Sequence, residues 1–303
     1  GFDRLNPRYG DAESQSQFLF FNAEMPLGDM SRLYAFGGLS RREGESGGFY
    51  RRAIDARTIP SIHPDGFLPL INTEVEDDGL TLGVAGTLGL WDVDASYTYG
   101  ANSFNFFISN SNNVSLGPSS PTEADAGTLK TDQHVFNFDA TRLGQFGDIP
   151  ANIAVGLEHR QDGYQIVAGE FASWANGPDD DPATAFPDQY GGIAAPGIQV
   201  FPGFRPSNEV DAERSSWAAY IDLELDLTDR FRVGTAARFE DYDDFGSTLT
   251  GKVTARYEVS DALALRAAAS TGFRAPSLSQ ANLNNTSTQF VLVGTDILPR
   301  EVG

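Results

Sequence analysis

The 303-residue chain has no cysteine, two methionines and three histidines. Disulfide frameworks and thiolate metal sites are therefore excluded. No stretch reaches the length of about 18 apolar residues that a membrane-crossing helix needs. Basic residues are scarce: 21 Lys and Arg stand against 42 Asp and Glu, a formal net charge of −21. Nucleic acid is thereby excluded as a partner, because phosphate binding needs clustered cations. The chain does not open on a charged-then-apolar leader, as expected of a mature or truncated product.

Glycine and aromatics are plentiful, with 32 Gly, 22 Phe and 10 Tyr. From Arg214 onward apolar and polar residues alternate at period 2. Trp217, Ala219, Ile221, Leu223, Leu225 and Leu227 share one face; Tyr220, Asp222, Glu224 and Asp226 share the other. A helix repeats every 3.6 residues and cannot keep that alternation; a strand does. Glycine and aromatics interleaved along strands is a β-barrel composition. Negative mean hydropathy does not exclude the membrane, since only alternate residues of a barrel strand touch lipid.

Ten strands are predicted at about 15–25, 32–42, 78–90, 92–107, 130–143, 150–163, 213–227, 230–241, 247–259 and 262–273, with an eleventh possible at 286–295. Short turns at 26–30, 90–92, 144–148, 228–230 and 260–262 alternate with long connections at 43–77, 108–129 and 164–212, and a shorter one at 241–246. Tight turns at one end and long loops at the other are the pattern of an outer-membrane barrel. The predicted outward face carries Phe231, Val233, Phe239, Leu249, Val253, Tyr257, Leu263 and Leu265. Arg230, Arg232, Arg238, Glu240, Lys252, Arg256, Glu258 and Arg266 point the other way. Charges of both signs on an inner face exclude a dry sandwich core, where each unpaired one would cost several kcal/mol. The turn at 228–230 predicts Asp226 opposite Arg232 as a cross-strand ion pair. Phe231 and Phe239, eight residues apart, span about 26 Å along a strand, or about 20 Å of height once tilted, close to the ~25 Å apolar band of a barrel.

The run from Arg238-Phe239-Glu240-Asp241-Tyr242 through Arg256-Tyr257 to Thr271-Gly272-Phe273-Arg274-Ala275-Pro276-Ser277-Leu278 resembles the barrel of a TonB-dependent outer-membrane receptor. Phe36-Gly37-Gly38-Leu39-Ser40, Gly48-Phe49-Tyr50-Arg51, Pro64-Asp65-Gly66-Phe67 and Ser96-Tyr97-Thr98-Tyr99-Gly100 are similar to stretches of the same family. The resemblance implies an all-β fold, an antiparallel up-and-down transmembrane β-barrel in a Gram-negative outer membrane. It also implies TonB-energised uptake of a scarce nutrient such as a ferric siderophore. Barrels of this family close 22 strands around a plug. Residues 1–303 therefore read as a partial barrel domain of about ten strands, with no plug domain and no TonB box. The implied partners are outer-membrane lipid, the TonB complex and plug domain of the full-length protein, and a small-molecule or metal-chelate ligand.

Candidate ligand-binding residues are Arg274, which shares the inward parity of Arg266, and the loop aromatics Phe49, Tyr50, Phe67, Trp174 and Tyr190. Rings on loops bind planar chelates or sugar faces with little entropy loss; they also build loop mini-cores. Gly272 is expected to permit close backbone approach and Pro276 to stop the ladder. Asp179, Asp180 and Asp181, near Asp188, lack the spacing of a calcium loop and read as a solvated acidic loop. His134 and His159 are expected near the outer rim, beside Asp132 and Glu158. No spacing brings nucleophile, base and orienting group together, so no catalytic residue, metal or cofactor is assigned and an enzyme is not expected. The alternatives are a complete ten-stranded barrel acting as hydrolase or adhesin, and a soluble all-β binding protein.

Overall fold

The computed structural model describes residues 8, 10, 12–293 and 296–302. Ten strands form one antiparallel sheet: β1(Glu13–Leu27), β2(Ser31–Gly47), β5(Leu70–Leu88), β6(Trp91–Ser109), β7(Ala124–Phe146), β8(Ile149–Val167), β9(Val210–Thr228), β10(Phe231–Tyr242), β11(Gly246–Ser260) and β12(Leu263–Ser270). The pair β3(Arg51–Arg52) and β4(Gly66–Phe67) lies within one loop. Each strand of the large sheet pairs with its sequence neighbour in it, and β1 and β12 occupy opposite edges. The closed ten-stranded barrel is thereby excluded, because closure would pair β1 with β12. The eleventh strand read at 286–295 is also corrected. Instead, β13(Ser287–Val293) and β14(Asp296–Val302) form their own hairpin, apart from the large sheet; residues 294–295 lie outside the described residues.

Two registers show why the sheet has one oily and one ionic face. Met25, Leu33, Val84, Ala95, Phe138, Leu157, Ala219, Phe239 and Leu249 follow one another across nine strands in a single row. Phe138 is 44% exposed, Leu157 56% and Leu249 70%, as an outward wall facing lipid requires. On the opposite face Arg32, Ala85, Asp94, Asp139, Gly156, Tyr220, Arg238 and Thr250 form the corresponding row. The charges there are paired along the wall: Arg232 with Asp226 at 2.5 Å and Glu224 at 2.9 Å, and Arg238 with Glu240 at 2.8 Å and Glu158 at 3.2 Å. Asp226 does stand opposite Arg232. The loop joining them is two residues, Asp229 and Arg230, and a register shift at Phe231 supplies the remaining offset.

At the short-turn end, Leu88 pairs with Trp91 and Phe146 with Ile149, leaving the two-residue loops Gly89-Leu90 and Gly147-Asp148. Both glycines have φ of +66°. A glycine at the first central position is what a type II′ hairpin needs, since its backbone twist matches that of the strands. At the other end the strands run further than the alternation marks. β5 starts at Leu70 rather than 78, and β7 at Ala124 rather than 130. Glu74, Glu76, Asp77 and Asp78 put charge on both faces of β5 there. Above the lipid neither face must be apolar, so the ladder continues without the period-2 signal.

Two tyrosines on the ionic face each lie across a glycine of the adjacent strand and reach a carboxylate on the strand beyond. Tyr34 covers Gly83 and donates to Asp94 at 2.8 Å; Tyr220 covers Gly156 and donates to Asp139 at 2.5 Å. A Cβ on Gly156 would overlap the Tyr220 ring. Gly156→Val is therefore expected to destabilise the wall by about 1–3 kcal/mol through overpacking. Gly251→Ala, whose Cβ meets only a backbone oxygen at 3.5 Å, should stay near wild type. Denaturant midpoints in detergent micelles, followed by tryptophan fluorescence, compare the two.

Candidate functional site

Beyond the lipid-facing wall, the connections 48–69, 110–123 and 168–209 fold into one cap. Its hub is the segment after β6, where Ser111, Asn112, Asn113 and Ser115 are all 0% exposed. Backbone without a ladder must find other partners, and these side chains provide them. Asn112 accepts from the Ile59 amide at 3.2 Å and donates to the Arg57 carbonyl at 3.0 Å. Asn113 donates to the carbonyls of Ala172 at 3.0 Å and Ala175 at 2.9 Å. The Ser111 hydroxyl donates to the Gln199 carbonyl, and His63 Nε2 lies 2.9 Å from the Ser111 carbonyl. Arg51 holds Gln199 Oε1 at 3.3 and 3.4 Å. Apolar clusters of Ile108, Ala124, Ala126 and Ile198, and of Ile59, Val114 and Ala194, fill the space between.

Two charged groups in this cap are shifted. Burial, with Arg57 nearby, lowers the Arg51 guanidinium to about 10. Burial pushes the Asp55 carboxyl up, but Arg57 outweighs it through two side-chain bonds at 2.9 Å and its amide at 3.0 Å, so Asp55 sits below its usual range.

The loop aromatics divide by exposure. Phe49 is 70% exposed and Tyr190 67%, the latter anchored by its hydroxyl on the Ile54 carbonyl at 2.7 Å. Tyr50 donates to the Asp65 carbonyl at 2.7 Å. Trp174, in the short helix α1(Phe171–Trp174), is half-buried, donates to the Gly169 carbonyl at 3.0 Å and carries the Arg205 guanidinium over its ring at 5.8 Å. Phe67, 3% exposed, stacks on His63 at 4.3 Å inside the cap. Asp180, Asp181 and Asp188 accept from loop amides at Asn176, Ala183, Tyr190 and Gly192.

Arg274 lies apart from those rings. β12 ends at Ser270, earlier than the 273 read from the alternation, so strand parity does not extend to Arg274. Thr271 still bonds Gly251, its amide donating to the carbonyl at 2.9 Å. Residues 272–277 then cross the ionic face as an irregular strap leading into α2(Leu278–Asn282), which Ser277 and Gln280 cap reciprocally. No atom lies within 4 Å of a Cβ built on Gly272, so close backbone approach is not its role. Arg214, 6% exposed, anchors the strap. It donates to the Pro276 carbonyl at 2.6 Å, pairs with Asp244 at 2.6 Å and covers the Phe245 ring at 5.4 Å.

Between strap and wall lies a cleft of about 610 Å³, lined by Asn102, Gln133, Arg160, Asp162, Tyr164, Arg214, Glu240, Tyr242 and residues Phe273 to Ser279. That volume suits one small ligand. Arg160 is paired with Asp162 at 3.1 Å, Arg214 with Asp244 at 2.6 Å and Glu240 with Arg238 at 2.8 Å, and Gln133 donates to Asp162 at 2.7 Å. Arg274 makes no hydrogen bond or ion pair among the described residues. Arg214 and Tyr164 were not singled out by the sequence, because their roles depend on a strap more than 60 positions away.

His134 and His159 lie on the outward face, in the row Leu82, Tyr97, Phe136, His159, Trp217 and the position just above it. Tyr97 Oη is 2.7 Å from His134 Nδ1, and His159 packs 4.3 Å from the Trp217 ring. This is an aromatic girdle at the lipid boundary. His159 Nε2 lies 3.2 Å from Ser215 Oγ, but among the described residues no carboxylate orients its other nitrogen, so the base lacks its third group.

The family model described as TonB dependent receptor-like, beta-barrel, matches residues 11–300. No curated relative matches at the level of sequence. Three solved structures share the fold. The ferric-catecholate import receptor Fiu of Escherichia coli K12 is 11% identical, with a TM-score of 0.57, over 96% of this chain and 48% of its own. The siderophore receptor PirA of Pseudomonas aeruginosa is 12% identical, with a TM-score of 0.51, over 95% and 46%. BauA, the ferric preacinetobactin receptor of Acinetobacter baumannii, is 11% identical, with a TM-score of 0.51, over 95% and 50%. The chain thus spans half or less of the length of the structures it matches.

Asn113→Ala strands two buried carbonyls and is expected to cost the cap about 1–3 kcal/mol, read as faster proteolytic cleavage within 168–209. Asp55 gives a pH dependence. Its depressed pKa contributes stability above the ordinary value of 3.8, which is lost as pH falls through the lower folded value. Hydrogen-exchange protection factors around 51–59, corrected for the intrinsic rate at each pH, are expected to fall below pH 3.8 in wild type. In Asp55→Asn the protection factors should be lower at neutral pH and change less on acidification.

Proposed function

This chain belongs to the TonB-dependent receptor-like β-barrel family, and on that premise we propose that it forms about half the wall of an outer-membrane receptor importing a scarce nutrient. The wall's two open edges support this reading, since lipid does not tolerate unpaired strand edges and the matched structures have about twice this length. In the full receptor further strands cover β1 and β12, a plug domain fills the lumen, and TonB supplies energy from the inner membrane.

The observation that carries the transport reading is the cleft between the strap and the ionic wall, with paired charges along that wall and a guanidinium at Arg274 that has no acceptor among the described residues. A wet, ionic face suits passage of a polar solute; a sealed, apolar interior would not. The solved neighbours are titled as receptors for ferric catecholate and ferric preacinetobactin, and a ferric chelate is the cargo proposed here. Phe49 and Tyr190, exposed on the cap, make the first contacts with its planar groups. The wall binds and conducts; no catalytic step is assigned to it.

The test is uptake of radiolabelled iron(III) catecholate by cells whose only outer-membrane route is the receptor carrying this chain. Accumulation is expected, and should cease when TonB is removed although surface binding persists. Phe49→Ala with Tyr190→Ala should lower apparent affinity by about tenfold, roughly 1.4 kcal/mol. Uptake indifferent to TonB, or absent for every ferric chelate with the receptor correctly inserted, would overturn the reading.

A further inference from the structure

Tyr164 is the one described residue whose buried side-chain polar atom has no hydrogen-bond partner. It is 2% exposed and packs with Ile166, Phe204 and Leu278. A buried phenol normally finds a partner for its hydroxyl, yet the nearby polar groups of the cleft are engaged elsewhere. Arg160 and Gln133 are held by Asp162, and Arg214 by Asp244 and the Pro276 carbonyl. Arg274 lines the same cleft with its guanidinium uncommitted. The cleft therefore holds a buried O–H without a partner and, facing it from the strap, an exposed guanidinium with no protein acceptor among the described residues.

We infer that Tyr164, on the lumenal wall, and Arg274, on the strap that faces it, form a subsite for an anionic oxygen group of the transported ligand, with Leu278 covering the hydroxyl. The subsite rests on the transport reading above and extends it by naming the hydroxyl that reads the ligand. Its complement is a carboxylate or catecholate oxygen, which accepts from a phenol and from a guanidinium together. The carboxylates lining the same cleft do not cancel it. Asp162 and Glu240 are paired with arginines. Asp78 and Asp132 belong to the row of Ala101 and Gly163, of opposite facing to Tyr164. Asp77 shares a row with Asn102, Thr131 and Tyr164. That places Asp77 three strand spacings, about 14 Å, from Tyr164. Leu278 lies over the ring, and the strap is irregular from 272 to 277. Reaching the hydroxyl displaces Leu278 without breaking the wall's ladder.

The test compares two probes on the full receptor in detergent: an iron(III) tris-catecholate, which is anionic, and an iron(III) trihydroxamate without net negative charge. Tyr164→Phe and Arg274→Gln are each expected to weaken the tris-catecholate about tenfold and to leave the trihydroxamate unchanged. Tyr164→Phe should unfold no earlier than wild type, because it removes a hydroxyl without a partner. Leu278→Ala, which uncovers the hydroxyl, should speed association of the tris-catecholate. Unchanged binding in Tyr164→Phe would mean a hydroxyl that is merely packed or hydrated and would overturn the subsite, with the transport reading intact. Equal losses for both probes would mark a packing role and overturn it as well. Failure of wild type to bind either probe would overturn the transport reading together with the subsite.

Discussion

A wall in lipid has no water to satisfy its backbone, so each amide and carbonyl of the spanning segments must pair with a neighbouring strand. The ladder from β1 to β12 is the consequence, and the placement of the side chains follows from it. Once the ladder fixes the strands edge to edge, side chains have two directions only. One meets hydrocarbon and is filled by rows such as Phe138, Leu157 and Leu249; the other meets the lumen and carries the ionic residues. The ladder also dictates the tight turns, because a two-residue loop keeps pairing up to Leu88–Trp91 and Phe146–Ile149, and glycine supplies the positive φ that this requires.

Charges on the inner face are arranged to need little from outside. Arg232 lies between two carboxylates, and so does Arg238. Exposed ion pairs contribute little stability each, so their role is better read as keeping a wet surface without a strong single-sign field. The tyrosines over Gly83 and Gly156 do complementary work. A glycine in a strand leaves a gap in the wall's inner surface; an aromatic ring from the adjacent strand fills it and ties its hydroxyl to a third strand. Three strands are then linked by one side chain, in addition to the backbone.

The parts legible in the sequence were those governed by this two-direction rule. Alternation placed all ten wall strands, the facing of Phe239 against Arg238, and the Asp226–Arg232 pair. It failed where the rule lapses. The outer ends of β5 and β7 rise above the lipid, where both faces are polar, and their extent became visible only through the register. The cap follows no period: Asn112 and Asn113 bond carbonyls up to 62 positions away, and an asparagine in a loop carries no mark of its partner. Phe67 and Phe49 look alike as loop aromatics, and only the folded cap separates a ring stacked on His63 from a ring open to solvent.

The Gly272-to-Pro276 run shows how a recognisable motif can work differently from its residue types. Proline at 276 reads as a strand stop, but the strand has already ended at Ser270. What the structure uses at 276 is the carbonyl, which a proline retains, held at 2.6 Å by a nearly buried Arg214. Among the described residues Arg214 donates only to that carbonyl and to Asp244, so the strap and the β10–β11 loop are fastened through one guanidinium. Proline's fixed φ reduces the ways the strap can wander from that anchor. The same anchoring holds Arg274, two positions earlier, at the cleft, where it meets no acceptor among the described residues. A motif that looks like a terminator is therefore better understood as a tether between the strap and the wall.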